Sequence, residues 1–299
     1  MKKKKIYDTS KYLEYSDIMD ETMDNGIIVK HKNKKKEIDE GDIVINIHEL
    51  DPTKLRPIDI QSKCSGKGVK YVTIGKPGTG KSILTKDILW WKKHIIPCAQ
   101  FFNGTEDSNK AYQKIAPSAF ISNDLKNYKL SWEDFKKRQE MAMEYLNNPW
   151  CVRIEDDMST DTKIYNTPTY HDVFKNSRHW DSMYWLLLQF PMDIRPVIRT
   201  CIDGTFLFRE ATPKGREKLL NNFVPCIKKP DVFDAIMDTI TVDYTALYIN
   251  NNTQSNSMED IIFYYKADLK KAEALDKIKF GSDAYWSFSN ERVLSQFKN

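Results

Sequence analysis

The stretch Tyr71-Val-Thr-Ile-Gly-Lys-Pro-Gly-Thr-Gly-Lys-Ser82 decides how the rest of the chain is read. Strand-forming residues run into a glycine-rich turn. A segment with Ile83, Leu84, Ile88 and Trp91 at helical spacing follows it. The turn has the pattern G-x-x-x-x-G-K-[ST]. Gly75, Gly80, Lys81 and Ser82 hold its fixed positions, with Lys76, Pro77, Gly78 and Thr79 between them. Glycines let the backbone curl until successive N–H groups face one anion, and a helix starting near Gly80 adds the positive end of its dipole. Lys81 reaches the β- and γ-phosphates of a nucleotide, and Ser82 offers its hydroxyl to Mg2+. Residues 75–82 therefore read as a phosphate-binding P-loop, with ATP and Mg2+ as the expected cofactors.

Working outward, Asp42-Ile-Val-Ile-Asn-Ile47 reads as a strand before the loop, with Pro52, Pro57, Gly66 and Gly68 punctuating the approach. After the loop, residues 97–103 read as a second core strand and 119–122 as a short extended piece. Ser131-Trp-Glu-Asp134 has the form of a capping box opening a helix to about Asn147, with Gln139 interrupting its apolar face. Trp150-Cys-Val-Arg-Ile-Glu-Asp-Asp157 reads as a third core strand ending in acids, and residues 171–180 as a helix. The continuous apolar run 183–189 suits a strand buried on both faces. Residues 205–209 form a further strand, and 245–250 and 260–266 a C-terminal pair. Strands alternating with helices imply an α/β fold: a mostly parallel central sheet flanked by helices, plus a C-terminal β-hairpin.

The 299 residues suffice for one large or two small domains, and 29% charged with 40% hydrophobic residues is ordinary globular composition. We divide the chain into a charged N-terminal extension, 1–45, a P-loop ATPase domain, 46–270, and a C-terminal tail, 271–299. The extension carries lysine clusters at 2–5 and 30–36 around an acidic patch at 17–24. It reads either as a solvated arm or as one that touches nucleic acid or a neighbouring subunit. A net charge of +4 is too small to argue for a nucleic-acid partner by itself. Five cysteines, none at metal-ligand or redox-motif spacing, read as reduced thiols, with Cys98, Cys151 and Cys201 buried. No stretch approaches the roughly 20 apolar residues that span a bilayer, so no membrane insertion is expected.

Turnover at a P-loop needs an acid to hold Mg2+ and a group to orient the attacking water, both usually at the end of a nearby strand. Asp156 is read as the metal acid and Asp157 as the water activator. A shift of one residue gives Glu155 and Asp156 instead. Gln189, ending the next buried strand, is a candidate sensor of the γ-phosphate. Arg195 and Arg199 follow it, and either could serve as a finger that neutralises charge growing in the transition state.

Beyond the loop, Val173-Phe-Lys-Asn-Ser-Arg-His179, Leu186-Leu-Leu-Gln-Phe-Pro191, Asp193-Ile-Arg-Pro-Val-Ile-Arg-Thr200 and Phe206-Leu-Phe-Arg-Glu210 follow in order. Residues 248–256 and 259–267 add a second block. Together they resemble the virion DNA-packaging ATPases of nucleocytoplasmic large DNA viruses (poxvirus-type packaging ATPases), in the FtsK–HerA group of RecA-like P-loop NTPases. The similarity covers roughly residues 67–267. It implies Asp156 and Asp157 as the Walker B pair, Gln189 as the sensor and Arg199 as the better finger, with Arg178 and His179 matching a paired motif. This chain departs from the family with Ser177 for a common glycine, with Arg153 and Glu155 before the acid pair, and with Arg195-Pro196 for a Pro-Pro turn. These changes blur the acid register and keep Arg195 a competitor.

The resemblance implies an ATP-driven motor translocating double-stranded DNA into a capsid. It would work as a homo-oligomeric ring meeting capsid or portal proteins, in the host cytoplasm at the virus assembly site and in the virion. Residues 161–170, with Lys163 and aromatic residues, are a candidate DNA-contacting loop, against an ordinary surface loop. Alternatives are another P-loop NTPase, helicase-like or an AAA-type remodeler, and a non-catalytic nucleotide-binding assembly subunit.

Overall fold

The computed structural model describes residues 26–31, 43–60, 68–106 and 110–296. The lysines at 2–5, the acidic patch at 17–24, most of the cluster at 30–36, Cys64 and Gly66 lie outside them. The described residues form ten strands: β1 (Ile27–His31), β2 (Ile43–Glu49), β3 (Val69–Ile74), β4 (Cys98–Asn103), β5 (Ile121–Ser122), β6 (Cys151–Asp156), β7 (Ser182–Leu188), β8 (Gly204–Leu207), β9 (Thr245–Asn250) and β10 (Ile262–Lys266). They form one sheet in the order β1-β2-β10-β9-β8-β3-β7-β6-β4-β5. The strands from β5 through β8 run parallel. β9 is antiparallel to both neighbours, β8 and β10, which gives the expected C-terminal antiparallel pair. This is a P-loop-type α/β sheet with helices on both faces.

Strands β3, β6 and β7 are buried on both faces, which is why β7 reads as a continuous apolar run, while β3 and β6 bury polar residues such as Lys70, Arg153 and Glu155 among apolar ones. On one face, Val69, Tyr71, Val152, Ile154, Met183, Trp185 and Leu187 pack with Leu84, Ile88 and Leu89 of α1 (Lys81–Lys92). On the other, Val72, Ile74, Tyr184, Leu186 and Leu188 pack with Tyr128, Trp132 and Phe135 of α2 (Tyr128–Tyr145) and with Tyr170, Val173 and Phe174 of α3 (Pro168–Asn176). Burying each such side chain is worth roughly 1.5–3 kcal/mol. Five further helices complete the layers: α4 (Pro196–Arg199), α5 (Pro213–Phe223), α6 (Pro230–Ile240), α7 (Met258–Ile261) and α8 (Leu269–Leu275). A last one, α9 (Asp283–Gln296), ends the described chain.

Several expectations change. The division at 45/46 runs through β2, and β1 continues the sheet beyond it, with Val29, Ile45 and Ile47 in the core. The C-terminal residues are docked rather than separate. Lys86 of α1 pairs with Asp276 at 2.8 Å, and Tyr285 of α9 meets Phe120 with ring centres 4.7 Å apart. Ser131 caps nothing, because α2 begins at Tyr128. Its buried hydroxyl instead accepts from Gln100 at 3.4 Å and Arg153 at 3.3 Å. Gln139 does lie on the buried face, where it donates to the Pro149 carbonyl. Cys151 is buried, whereas Cys98 and Cys201 are only half-buried. Among the described residues no helix is long and apolar enough to cross a membrane.

Candidate nucleotide site

The carboxyl ends of the parallel strands converge on one edge, and the glycine-rich turn leaves β3 there. Its first residue is anchored, since the Gly75 N–H donates to the Leu188 carbonyl at 3.1 Å. A side chain at Gly75 has no room: a Cβ would lie 2.5 Å from Thr79 Oγ1 and 2.8 Å from Phe208 Cβ. Gly78 (φ 77°) and Gly80 (φ 101°) take the left-handed conformation that closes the turn onto α1. Thr79 Oγ1 donates to the Lys76 carbonyl at 2.8 Å, and Lys76 pairs with Glu210 at 3.1 Å, tying the loop to the segment after β8. Pro77 and Ser82 are exposed.

Lys81 folds over the turn, donating to the carbonyls of Gly75 at 2.7 Å and Lys76 at 3.1 Å. Burial pulls its pKa below the usual lysine range, while the charges of Asp156 and then Asp157 pull the other way. The ammonium and both acids therefore share one electrostatic site.

The three consecutive acids are separated by strand alternation. Asp156 ends β6 on the α1 side, where its Oδ2 accepts from the Tyr112 hydroxyl at 2.9 Å. Burial raises its pKa, and Tyr112 and Lys81 partly offset that. Asp157, just past the strand, is held at φ 51° and accepts from Gln189 Nε2 at 3.0 Å. The structure places Glu155 elsewhere. It is fully buried on the opposite face, accepting from Arg153 Nε at 2.9 Å, Tyr128 at 2.8 Å and Tyr184 at 2.5 Å. With its carboxylate so engaged, Glu155 has the bonding of a core residue, and the shifted register loses its first acid.

The two arginines stand apart. Arg195 is exposed and donates to Asn166 Oδ1 at 2.5 Å. Arg199, at the end of α4, lies over the Phe223 ring at 5.9 Å with NH1 3.5 Å from Met192 Sδ. Partial burial lowers its pKa, and no described carboxylate pairs with it. Arg178 and His179 are exposed but not at this edge. The Gly68 N–H at the start of β3 donates to the Arg178 carbonyl at 3.0 Å, which puts the pair at the amino edge, about 20 Å along the strands from the P-loop. The loop proposed for DNA contact also changes character, because Tyr165 and Tyr170 are fully buried. Lys163 is exposed.

Mg2+ keeps several waters and needs only one or two protein ligands beside substrate phosphates. The residues fit it: the Ser82 hydroxyl is exposed with no partner among the described residues, and the Asp156 carboxylate lies close enough to Lys81 to share its electrostatic field. Among the described residues no group of three or more His, Cys, Asp or Glu could form a closed cage. When bound, the ion would polarise the phosphate oxygens.

Two residues that support this edge carry no sequence signal. Tyr112 belongs to no motif and lies 44 residues from Asp156 in the chain. Glu106, buried, accepts from Asn103 Nδ2 at 2.6 Å and from the Tyr112 N–H at 3.0 Å, so it steadies the segment that holds Asp156.

Fold and loop together define a P-loop NTPase. In its fold it is similar to the genome packaging NTPase B204 of Sulfolobus turreted icosahedral virus 2, solved with sulfate. The TM-score is 0.50 at 17% identity, over 68% of this chain and 98% of that one. The DNA-packaging ATPase B204 of Sulfolobus turreted icosahedral virus superposes equally, with a TM-score of 0.50 at 17% identity, over 67% and 98% of the two chains. No family model matches the chain. The chain belongs to the family of viral proteins that includes protein 088R of Invertebrate iridescent virus 3, to which it is 40% identical over 260 residues, 87% of this chain and 98% of that protein. It is likewise 40% identical to protein 075L of Invertebrate iridescent virus 6 over 77% of this chain and 88% of that one. To protein 015R of Frog virus 3 it is 32% identical over 82% and 75%.

Proposed function

We propose that this protein is an ATP-hydrolysing motor that moves double-stranded DNA and packages a viral genome into its capsid. The observation that carries the reading is the convergence of Lys81, Asp156, Asp157 and Gln189 at one strand edge above a P-loop. In this reading the loop N–H groups and Lys81 bind the phosphates of ATP. Ser82 and Asp156 hold Mg2+. Asp157, fixed by Gln189, orients and deprotonates the attacking water. Arg199, which no described carboxylate neutralises, is offered outward to the active site of a neighbouring subunit in a homo-oligomeric ring. DNA passing through such a ring is gripped by its phosphates, so translocation is independent of sequence and sensitive to salt. The viral relatives and the fold shared with the B204 packaging NTPases support a viral DNA motor, and in this reading it acts at the assembly site in the host cytoplasm and meets capsid or portal proteins.

The test is ATP hydrolysis by the full chain with and without long duplex DNA, in wild type and Lys81→Ala. A several-fold stimulation by DNA, abolished in Lys81→Ala, is expected. Hydrolysis indifferent to DNA would favour a helicase-like or remodelling NTPase. No turnover in any oligomeric state would favour a nucleotide-binding assembly subunit.

A further inference from the structure

Just before β9, Asp243 (φ 50°) and Tyr244 (φ 60°) both adopt left-handed backbone. Left-handed backbone is unfavourable for any residue with a side chain, and two in succession persist only where their surroundings enforce them. Here the Asp243 carboxylate pairs with Lys266 on β10, and the Thr245 N–H donates to the Val242 carbonyl at 3.0 Å as the chain enters β9. The result is a tyrosine held out of the core, 66% exposed. Its ring nevertheless stands beside the P-loop: Cδ1 lies 3.6 Å from the point a Cβ on Gly80 would occupy.

The side on which it stands matters. Reading across the sheet as β6-β7-β3-β8-β9, the acids and Gln189 lie on one flank of β3, and Tyr244 leads into β9 on the other. A triphosphate cradled by residues 75–82 turns its γ-phosphate toward Asp156 and Asp157. Its nucleoside must then leave the loop on the opposite flank, over β8 and β9. Ile83, in the first turn of α1, is also exposed, 39% accessible. An exposed aromatic ring beside the turn on that flank offers what a base needs, a flat apolar surface for stacking.

We propose that Tyr244 is the platform on which the base of the bound nucleotide stacks. It makes the site select nucleoside triphosphates over bare polyphosphate, and purines over the smaller pyrimidines. This rests on the reading of residues 75–82 as a nucleotide site.

The experiment measures binding of ATP, CTP and inorganic tripolyphosphate, each with Mg2+, to the full chain in wild type, Tyr244→Ala, Tyr244→Phe and Lys81→Ala. Stacking contributes on the order of a tenfold change in affinity per base. Tyr244→Ala is therefore expected to weaken ATP about tenfold and CTP less, and to leave tripolyphosphate unchanged. Tyr244→Phe should stay near wild type, and Lys81→Ala should weaken all three ligands. Unchanged ATP affinity in Tyr244→Ala, with Lys81→Ala still weakening every ligand, overturns the platform and leaves the nucleotide site standing. Equal loss of ATP and tripolyphosphate in Tyr244→Ala also overturns it, by assigning Tyr244 to loop geometry. Indifference of all ligands to Lys81→Ala removes the nucleotide site itself.

Discussion

Gln189 Nε2 donates to Asp157 Oδ1 at 3.0 Å, joining the residue after β7 to the residue after β6. Both strands are rigid and buried, so the bond fixes a carboxylate that would otherwise sit on a flexible loop end. If Asp157 is the base, Gln189→Ala lowers kcat by roughly 10- to 100-fold, the scale of a positioned general base. ATP affinity should change less than kcat, because the bond acts on the water-activating acid rather than on the loop N–H groups that hold the phosphates. Single-turnover hydrolysis beside equilibrium binding separates the two effects, and an unaltered kcat would remove Asp157 from the water-activating role.

Glu155 and Asp156 are neighbours in sequence with opposite expected phenotypes. Glu155→Gln disrupts a fully buried pair with Arg153 and unbalances the hydroxyls of Tyr128 and Tyr184. Breaking such a pair costs about 3–5 kcal/mol. The urea midpoint should drop while residual folded protein keeps its turnover. Asp156→Asn should do the reverse, with hydrolysis lost and the midpoint nearly unchanged. A Glu155→Gln protein as stable as wild type but inactive would restore the shifted acid register.

Lys92 gives a pH signature of folding. Its ammonium is buried, donating to the carbonyls of Thr53 at 3.1 Å and Leu55 at 2.5 Å, and burial pulls its pKa from 10.5 down to about 8. Between those values the unfolded chain binds more protons than the folded one, so this residue's contribution to stability rises with pH from about 8 to 10.5. Lys92→Met removes the titration. The stability difference between wild type and Lys92→Met, followed by urea unfolding, should shift in favour of wild type by up to about 2 kcal/mol between pH 7 and 9.5. A pH-independent difference would place the ammonium in a better-solvated site.

Arg199 rests on Phe223 and Met192 rather than on an acid, as suits a cation offered to another molecule. Arg199→Ala and Asp157→Asn subunits, each inactive alone, should regain hydrolysis when mixed, because some interfaces then join an intact arginine to an intact acid. Absence of rescue in rings shown to contain both variants would count against action in trans. The same mixture with Arg195→Ala tests the competing arginine.

How far the sequence carried the reading differs from part to part. The P-loop and the parallel strands were legible because a fixed motif and doubly buried apolar runs are local signals. Helices α5 and α6 went unread although Pro213 and Pro230 stand at their first positions, where proline marks a helix start. The acid register was decidable in principle: Arg153 and Glu155, two apart on a strand, share a face and suit a buried pair. Asp156 then falls to the other side. Tyr112 was not legible, since nothing local relates it to an acid 44 residues onward. The position of Arg178 and His179 was hidden for the same kind of reason. A motif gives order along the chain, and only the direction of β3 and β7 shows which edge it reaches.

Tyr112 has one more consequence. Its ring stacks on Phe101 with centres 4.2 Å apart, and its carbonyl receives the N–H groups of Ile115 and Ala116 at 3.0 and 3.1 Å. The Ile115 carbonyl in turn accepts from the Phe280 N–H at 2.8 Å, and the Gly281 N–H donates to Pro97 at 2.8 Å. The Phe280-Gly281 segment is thus a buttress, tied to Pro97 ahead of β4 and to Ile115 just past Tyr112, the residue that holds Asp156. A chain shortened at 275 keeps every residue of the P-loop and both acids, but it loses the brace behind one of them.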